Sequence, residues 1–158
     1  LADMLMQYVE NDVFMAAVWP LMWKTKDNSR KGGFRSFFDQ ETGTASPARH
    51  IMRFFSKAQR GTVLQSTDPR NRNLHSTAVL SKDKKRILLY VLNKGTMGKR
   101  VVVHLPYAIA RVSAETFEEV GDSGEAAAKA LKSTLKDQTI SFTMTDMSVV
   151  FFELEIAR

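Results

Sequence analysis

The amino-acid sequence predicts a mainly β protein, in which an antiparallel β-sandwich over residues 62–158 follows a mixed αβ segment over residues 1–61. Two observations carry this prediction. After Gly61, short apolar stretches alternate with polar turns, which is typical of a sandwich. Before Gly61, the pattern instead gives a helix, an apolar strand, a long loop and a second helix.

The amino-terminal segment begins with the spacing of an amphipathic helix over residues 1–11. Residues 13–19 are a continuous apolar run, which predicts a strand buried on both faces, as in a parallel sheet covered by helices. Such a strand needs neighbours from elsewhere in a longer chain or from another molecule. Residues 20–45 are rich in Lys, Gly, Ser, Thr and Asn and predict a long, functional loop.

A second helix is predicted over residues 46–60. Ser46 is suited to the N-cap and Pro47 to the first helical position. Apolar residues follow at helical spacing, and Gly61 is expected at the position just past the helix end, where glycine is favoured.

The remaining residues predict short strands joined by turns. Residues 81–85 are a polar hairpin connection, and residues 93–98 are a second turn. The alanine-rich residues 124–130 have helical propensity and predict a loop with about one helical turn. The predicted strands are 62–66, 74–80, 86–93, 99–105, 110–120, 131–136, 138–143 and 147–156.

Several of these stretches resemble a known group of enzymes. Residues 2–8, 13–20 and 46–56 resemble the end of the catalytic barrel in retaining clan-A glycoside hydrolases, with the β-agarase and porphyranase-like family 86 as the nearest family. The stretches Tyr90–Lys94 and Ser148–Leu154 resemble the start of a hairpin and the closing strand of the accessory sandwich in such enzymes.

This resemblance implies a domain organisation. Residues 13–19 and 46–60 would be the eighth strand and eighth helix of a (β/α)8 barrel. Residues 1–61 would then be the end of that barrel, and residues 62–158 the β-sandwich accessory domain. The chain would be the carboxy-terminal portion of the enzyme, and its opening without an initiator Met agrees with a fragment.

The resemblance also implies retaining hydrolysis by two carboxylates, at the ends of the fourth and seventh barrel strands. Both would precede residue 1, so no catalytic residue is assigned and the chain alone is expected to be inactive. Retaining chemistry needs two carboxyl groups about 5–5.5 Å apart. The acids of this chain are scattered over helix ends, turns and sheet edges, and none has an evident partner. The expected substrate is a polysaccharide, with an agar or porphyran-type galactan favoured. The resemblance favours a secreted, periplasmic or outer-surface protein.

The candidate substrate-binding residues follow the apolar strand. Trp19 and Trp23 lie at and just after its carboxyl end, where a barrel holds its active site. An indole ring stacks on the C–H bonds of a sugar, although both rings could instead be core or loop anchors. Lys24, Asn28 and Arg30 could bind hydroxyl or sulfate groups at the rim of a cleft, or could belong to a solvated loop.

The histidines are expected to be structural or solvated. His50 is predicted on the helix surface, and His75 and His104 lie in strand patterns without a carboxylate or second histidine at ligand spacing. No metal and no cofactor are expected. The absence of cysteine excludes disulfides, thiolate metal sites and cysteine nucleophiles.

The net charge of +6 is uneven, because residues 24–60 hold nine basic residues and three acids. Such a segment either forms a solvated surface or attracts anionic partners. Nucleic acid is disfavoured, because strands with interleaved aromatic and basic residues are lacking. No apolar run approaches the roughly 20 residues of a membrane helix.

Three functions therefore compete. The first is a glycoside hydrolase region that supplies one wall of a polysaccharide cleft, with the rest of the barrel as its partner. The second is a non-catalytic carbohydrate-binding or scaffold module, and the third is a basic nucleic-acid binder. Open strand edges would also allow pairing with a second copy of the chain.

Overall fold

A computed structural model describes residues 1–11, 13, 22–23, 38–39, 47–58, 61–67, 73–120 and 125–157. The described residues are mainly β, with two helices and antiparallel sheets, as predicted. The elements in chain order are α1 (Ala2–Glu10), β1 (Met22–Trp23), β2 (Phe38–Asp39), α2 (Pro47–Ser56), β3 (Thr62–Leu64), β4 (Leu74–Leu80), β5 (Arg86–Asn93), β6 (Lys99–His104), β7 (Ile109–Val120), β8 (Glu125–Ala130), β9 (Ser133–Lys136), β10 (Thr139–Met144) and β11 (Val149–Ile156).

The strands after Gly61 form two sheets that pack face to face. The larger sheet has six strands in the order β3-β4-β5-β11-β7-β8, and the smaller has three in the order β6-β10-β9. Every neighbouring pair in both sheets is antiparallel. Helices α1 and α2 pack on the other face of the larger sheet, which gives three layers.

The central strand β5 is buried on both of its faces. Leu88 and Tyr90 belong to the apolar cluster beneath the helices. Ile87, Leu89 and Val91 belong to the cluster between the two sheets. Because side chains alternate across a strand, a layer on each side of the sheet requires a nearly continuous apolar sequence.

The local predictions for the β region are largely confirmed. Residues 81–85 join β4 to β5 as a hairpin, with Leu80 opposite Ile87. Asp137 and Gln138 form a two-residue turn between β9 and β10, and both have positive φ, as the twist of a tight hairpin requires. Gln138 therefore belongs to the turn and not to the strand that was predicted to begin at residue 138.

Residues 93–98 are a turn, but they do not close a hairpin. β5 lies in the larger sheet and β6 in the smaller, so this segment crosses between the sheets. The hairpin implied by the resemblance at Tyr90–Lys94 is thus wrong for this chain.

The prediction for residues 124–130 is also wrong. The described part, Glu125–Ala130, is strand β8, which pairs with β7 from Glu115 to Val120. Alanine favours a helix only weakly in free energy, and a complete ladder of backbone hydrogen bonds to a neighbouring strand overrides that preference.

The amino-terminal segment agrees with the predictions in part. Helix α1 ends with Asn11 as its C-cap, as expected. Helix α2 ends at Ser56, earlier than predicted, so Gly61 does not lie just past its end. Residues 20–45 are not wholly a loop, because β1 and β2 pair in parallel within them.

The predicted strand over residues 13–19 lies outside the described residues except for Val13, which is in no regular element. Ser46 likewise lies outside them. Among the described residues, no helix is long and apolar enough to span a membrane.

Candidate functional site

The junction between the helices and the larger sheet brings together most of the described aromatic and charged side chains that contact one another. Helix α2 places Phe54 and Phe55 on the sheet because they lie on its apolar face. Phe55 stacks on Tyr90 with ring centroids 4.3 Å apart, and Phe54 stacks on Phe151 at 5.1 Å. Such ring pairs add to the free energy of burial and fix the orientation of the helix.

Ion pairs border this aromatic core. Arg53 contacts Glu115 at 2.5 Å. Glu153 accepts hydrogen bonds from both Lys57 and Arg86, each at 2.7 Å. The hydrogen bond from Lys57 is the main cause that lowers the pKa of Glu153, and the hydrogen bond from Arg86 lowers it further. Burial raises this pKa, but by less. Helix α2 and the residue Lys57 that follows it are therefore attached to β7 and β11 by charge as well as by packing.

A second polar cluster joins α1 to β4 and is centred on His75. Its Nδ1 lies 3.0 Å from Asp3 Oδ1, and its Nε2 lies 2.8 Å from Glu10 Oε1. Thr77 donates to the same oxygen of Glu10, and Lys94 Nζ lies 3.3 Å from both oxygens of Asp3. Ionised carboxylates only accept hydrogen bonds, so this arrangement favours the imidazolium form of His75, in which both ring nitrogens donate.

The pKa values agree with that protonation state. Burial by itself would lower the pKa of His75, but the hydrogen bonds to Asp3 and Glu10 outweigh it and raise that pKa. The His75 hydrogen bond is the main cause that lowers the pKa of Asp3. The cluster is therefore an ion-pair network that holds the first helix on the sheet.

Several of the described acids are paired with basic side chains. Asp3, Glu10, Glu115, Glu118 and Glu153 all contact a basic side chain. The sequence does hold a signal for the His75 cluster. Asp3 and Glu10 are seven residues apart, which is two helical turns and thus one face of α1.

These carboxylates are suited to ion pairing more than to acid catalysis. The pKa is lowered for Asp3, Asp83, Glu118 and Glu153, in each case chiefly by a hydrogen bond to the ionised form. A glycosidase general acid needs the opposite, a pKa raised by burial or by a neighbouring negative charge.

The other histidines occupy different surroundings. His50, predicted on the surface, is half-buried and stacks on Phe117 with ring centroids 5.7 Å apart. Burial lowers the pKa of His50, and Arg53 and Arg49 add to the effect. His104 is exposed on β6, with Nδ1 at 3.3 Å from the Thr139 hydroxyl. Within the described part of the chain, no group of three His, Asp or Glu residues could hold a metal ion.

A cleft of about 330 Å³ opens between the two sheets at the edge formed by β3, β4 and β6. Its walls are mainly apolar, with Leu89, Val91 and Val101 among them, and Gln65, Arg100 and other polar residues stand at its rim. It lies on the side of the larger sheet away from the helices.

Of the substrate-binding residues predicted from sequence, the structure describes the backbone of Trp23 alone. Trp23 belongs to β1, and its backbone is paired with Asp39 of β2. Trp19, Lys24, Asn28 and Arg30 lie outside the described residues. Their roles stay predictions.

No protein-family model matches the chain, and no curated protein matches it. Solved structures do match. An arabinose-bound α-L-arabinofuranosidase of glycoside hydrolase family 51 matches with a TM-score of 0.69 and 16% identity, over 99% of this chain and 27% of its own. The family 30 subfamily 8 xylanase of Clostridium acetobutylicum matches with a TM-score of 0.62 and 15% identity, over 79% of this chain and 32% of its own.

A family 30 endoxylanase from Clostridium papyrosolvens C71 matches with a TM-score of 0.60 and 14% identity, over 98% of this chain and 39% of its own. The fold of the chain is similar to part of the fold of these glycoside hydrolases. The chain spans between 27% and 39% of the length of these three structures. None of the three belongs to family 86, so the expected family and the expected barrel unit stay predictions.

Proposed function

We propose that the chain is the carboxy-terminal portion of a retaining glycoside hydrolase that acts on a polysaccharide. The observation that carries the proposal is the extent of the structural likeness. The match to one arabinofuranosidase extends over 99% of this chain, so it includes both the helical segment and the β-sandwich. In the proposal, residues 1–61 are the end of a (β/α)8 barrel and residues 62–158 are its accessory sandwich.

The sandwich would serve as a rigid support for the end of the barrel. The stacked rings of Phe55 and Tyr90 and the ion pairs of Glu153 and His75 support this role, because they couple both helices to one sheet. A binding site needs such a support, since a misplacement of about 1 Å weakens its contacts.

The cleft wall would come from the segment that follows the predicted eighth strand. In the proposal, Trp19 and Trp23 stack on sugar rings, and Lys24, Asn28 and Arg30 bind hydroxyl or sulfate groups. The two catalytic carboxylates would be supplied by another part of the barrel. The lowered pKa of the paired acids Asp3 and Glu153 supports this division, because neither suits a general acid.

The substrate class separates two versions of the proposal. The resemblance of residues 2–8, 13–20 and 46–56 to family 86 favours an agar or porphyran-type galactan. The similar structures are xylanases and an arabinofuranosidase, which favours xylan or an arabinoside as the substrate.

A non-catalytic carbohydrate-binding or scaffold module is the second candidate, favoured by the polar-rimmed cleft between the sheets.

The test compares cleavage by the intact enzyme on agarose, porphyran, xylan and an arabinofuranoside, with reducing ends as the readout. We expect turnover with retention at the anomeric carbon on one of these substrates. Trp19→Ala and Trp23→Ala should each lower kcat/KM by about tenfold, the loss expected for one stacking contact. Lys82→Ala, a change in an exposed turn, is the matched control and should not alter it.

The chain alone should release no reducing ends from any of the four substrates. Turnover by the chain alone would contradict the assignment of the catalytic carboxylates to another part of the barrel. An intact enzyme without turnover on any glycan would leave the scaffold module as the better function.

A further inference from the structure

The smaller sheet exposes a polar surface on the side away from the helices. Val101, Ile140, Phe142 and Met144 face inward and are buried against the larger sheet. The residues between them point outward, because side chains alternate along a strand. We call this surface the outer face, and its residues are Arg100, Val102, His104, Thr134, Lys136, Thr139, Ser141 and Thr143.

The register of the three strands arranges these residues in rows. Thr139 of the central strand β10 lies between His104 of β6 and Lys136 of β9. Thr143 lies opposite Arg100. Adjacent strands are about 4.8 Å apart. Thr139 is therefore flanked by His104 and Lys136, and Thr143 has Arg100 on one side, whereas Ser141 lies between Val102 and Thr134.

A shallow groove of about 400 Å³ lies at one end of the outer face. Arg100 and Lys132 line it together with the hydroxyl-bearing Thr134, Ser141 and Thr143, and the apolar Leu131 and Phe142 complete the lining. The groove thus offers cationic donors and neutral hydroxyl groups to the same ligand.

The outer face is strongly biased toward positive charge. Strands β6, β9 and β10 contain no aspartate or glutamate. The nearest acids in sequence are Asp137, in the turn between β9 and β10, and Asp146, just after β10, and both are exposed at the ends of the sheet. Arg100, Lys132 and Lys136 are exposed, so their field extends into solvent and attracts anions.

The chemistry of this surface fits an anionic glycan better than a neutral one or a nucleic acid. Its outward positions hold no Phe, Tyr or Trp, so it has no platform for stacking a neutral sugar or an unpaired base. Basic side chains bind carboxylate or sulfate groups, and the threonine and serine hydroxyl groups hydrogen-bond to sugar hydroxyl groups.

We propose that the outer face binds an acidic polysaccharide that carries carboxylate or sulfate groups, a partner class that rests on the proposed glycoside hydrolase function. The surface would hold the substrate chain, or a neighbouring chain of the same material, at a distance from the cleft. The contacts are exposed ion pairs, so binding weakens as salt rises.

The test measures the binding of the full chain to four probes by isothermal titration at low and high salt: polygalacturonate, carrageenan, neutral agarose and duplex DNA. The first two separate carboxylate from sulfate recognition. The variant Arg100→Gln, Lys132→Gln, Lys136→Gln removes two exposed charges from the outer face and a third, that of Lys132, from the groove at its end. We expect it to raise the Kd for at least one acidic glycan by about tenfold or more.

The matched control is Lys82→Gln, Lys84→Gln, Lys85→Gln, which removes the same charge from the exposed turn between β4 and β5. It should leave the Kd within about twofold. Equal weakening by both variants would mean attraction by net charge alone and would overturn the proposal. Binding to DNA tighter than to either acidic glycan would also overturn it.

Failure of this proposal is distinguishable from failure of the proposed function. The intact enzyme would still cleave a neutral glycan if the outer face bound nothing. Conversely, binding that is lost only in the outer-face variant would stand even if the intact enzyme cleaved none of the four substrates offered for cleavage.

Discussion

The phenolic hydroxyl of Tyr90 donates a hydrogen bond to the backbone carbonyl of Phe54 at 3.0 Å. Tyr90 is fully buried at the centre of the larger sheet, and Phe54 lies in the last turn of α2. A carbonyl at that place has no partner within its own helix. The tyrosine therefore supplies the missing donor, which joins the end of the helix to the middle of the sheet.

The variant Tyr90→Phe tests this relationship. It keeps the ring stacked on Phe55 but leaves the Phe54 carbonyl without its donor. We expect the free energy of unfolding to fall by about 1–2 kcal/mol, and the Tm by about 2–8 °C. Urea and thermal denaturation followed by circular dichroism measure both quantities.

Tyr107→Phe is the control, because that tyrosine is only half-buried. It should change the free energy of unfolding by less than about 0.5 kcal/mol. If Tyr90→Phe were as stable as the wild type, the hydrogen bond would not contribute to the attachment of the helix.

Asn93 joins two turns at the end of the sandwich. Its side-chain amide donates to the carbonyls of Met97 and Thr145, at 2.9 and 2.8 Å, and its side-chain oxygen accepts from the Gly95 N–H. The residue is fully buried. All of its polar groups on the side chain are therefore satisfied inside the protein.

Asn93→Asp should be severely destabilising. The new carboxylate would face two carbonyl oxygens in a buried site, where it has no donor in place of the lost amide. We expect a loss of about 3–5 kcal/mol in the free energy of unfolding, as for an uncompensated buried charge. Gln138→Glu makes the same chemical change at an exposed turn and should cost less than about 1 kcal/mol. Similar urea midpoints for the two variants would contradict this role of Asn93.

The strands were predictable because their signals are local. The hairpin at residues 81–85 is set by polar turn residues between two apolar runs, and those features are adjacent in the sequence. Strand β8 was not predictable in the same way. Its alanines favour a helix locally, and its strand conformation depends on pairing with β7.

The contacts of the candidate site were harder to predict because they are long-range. His75 contacts Asp3 and Glu10, which lie 72 and 65 residues away in sequence. The sequence shows that both acids share one face of a helix, but not which strand that face meets. The crossing from β5 to β6 was also hard to predict, because a turn sequence does not determine whether the next strand stays in the same sheet.

Gly61 lies where the chain passes very close to β4. A Cβ atom placed on it would lie 2.3 Å from Val79 Cγ1 and 2.7 Å from the Leu80 carbonyl oxygen. Val79 is buried and the Leu80 carbonyl is part of the backbone, so neither atom can move without disturbing the sheet. Gly61→Ala should lower the free energy of unfolding by about 1–3 kcal/mol.

Gly95→Ala is the comparison for that variant. The nearest atom to its added Cβ is the side-chain oxygen of Asn93 at 3.2 Å, which requires a smaller adjustment. We expect a smaller drop in Tm than for Gly61→Ala in the same thermal scans. A larger drop in Tm for Gly95→Ala than for Gly61→Ala would show that the close approach of residue 61 to β4 does not exclude a larger side chain there.

The His75 cluster predicts a pH-dependent attachment of α1. The pKa of His75 is raised above its ordinary 6.5, so its contribution is complete below about pH 6.5 and is lost as the pH rises through the raised value. The pKa of Asp3 is lowered below its ordinary 3.8, so its contribution is complete above about pH 3.8 and is lost as the pH falls through the lowered value.

The variant His75→Gln removes the titrating group but keeps an amide that can donate to one carboxylate. We expect wild type to exceed the variant by about 1 kcal/mol in the free energy of unfolding between about pH 4 and 6.5, and the difference to shrink at pH 9. Urea denaturation at pH 5.5, 7.5 and 9 measures it. His104→Gln, at an exposed histidine outside the cluster, is the control for the loss of an imidazole. A constant difference for His75→Gln at all three pH values would mean that His75 contributes by packing and not as an imidazolium.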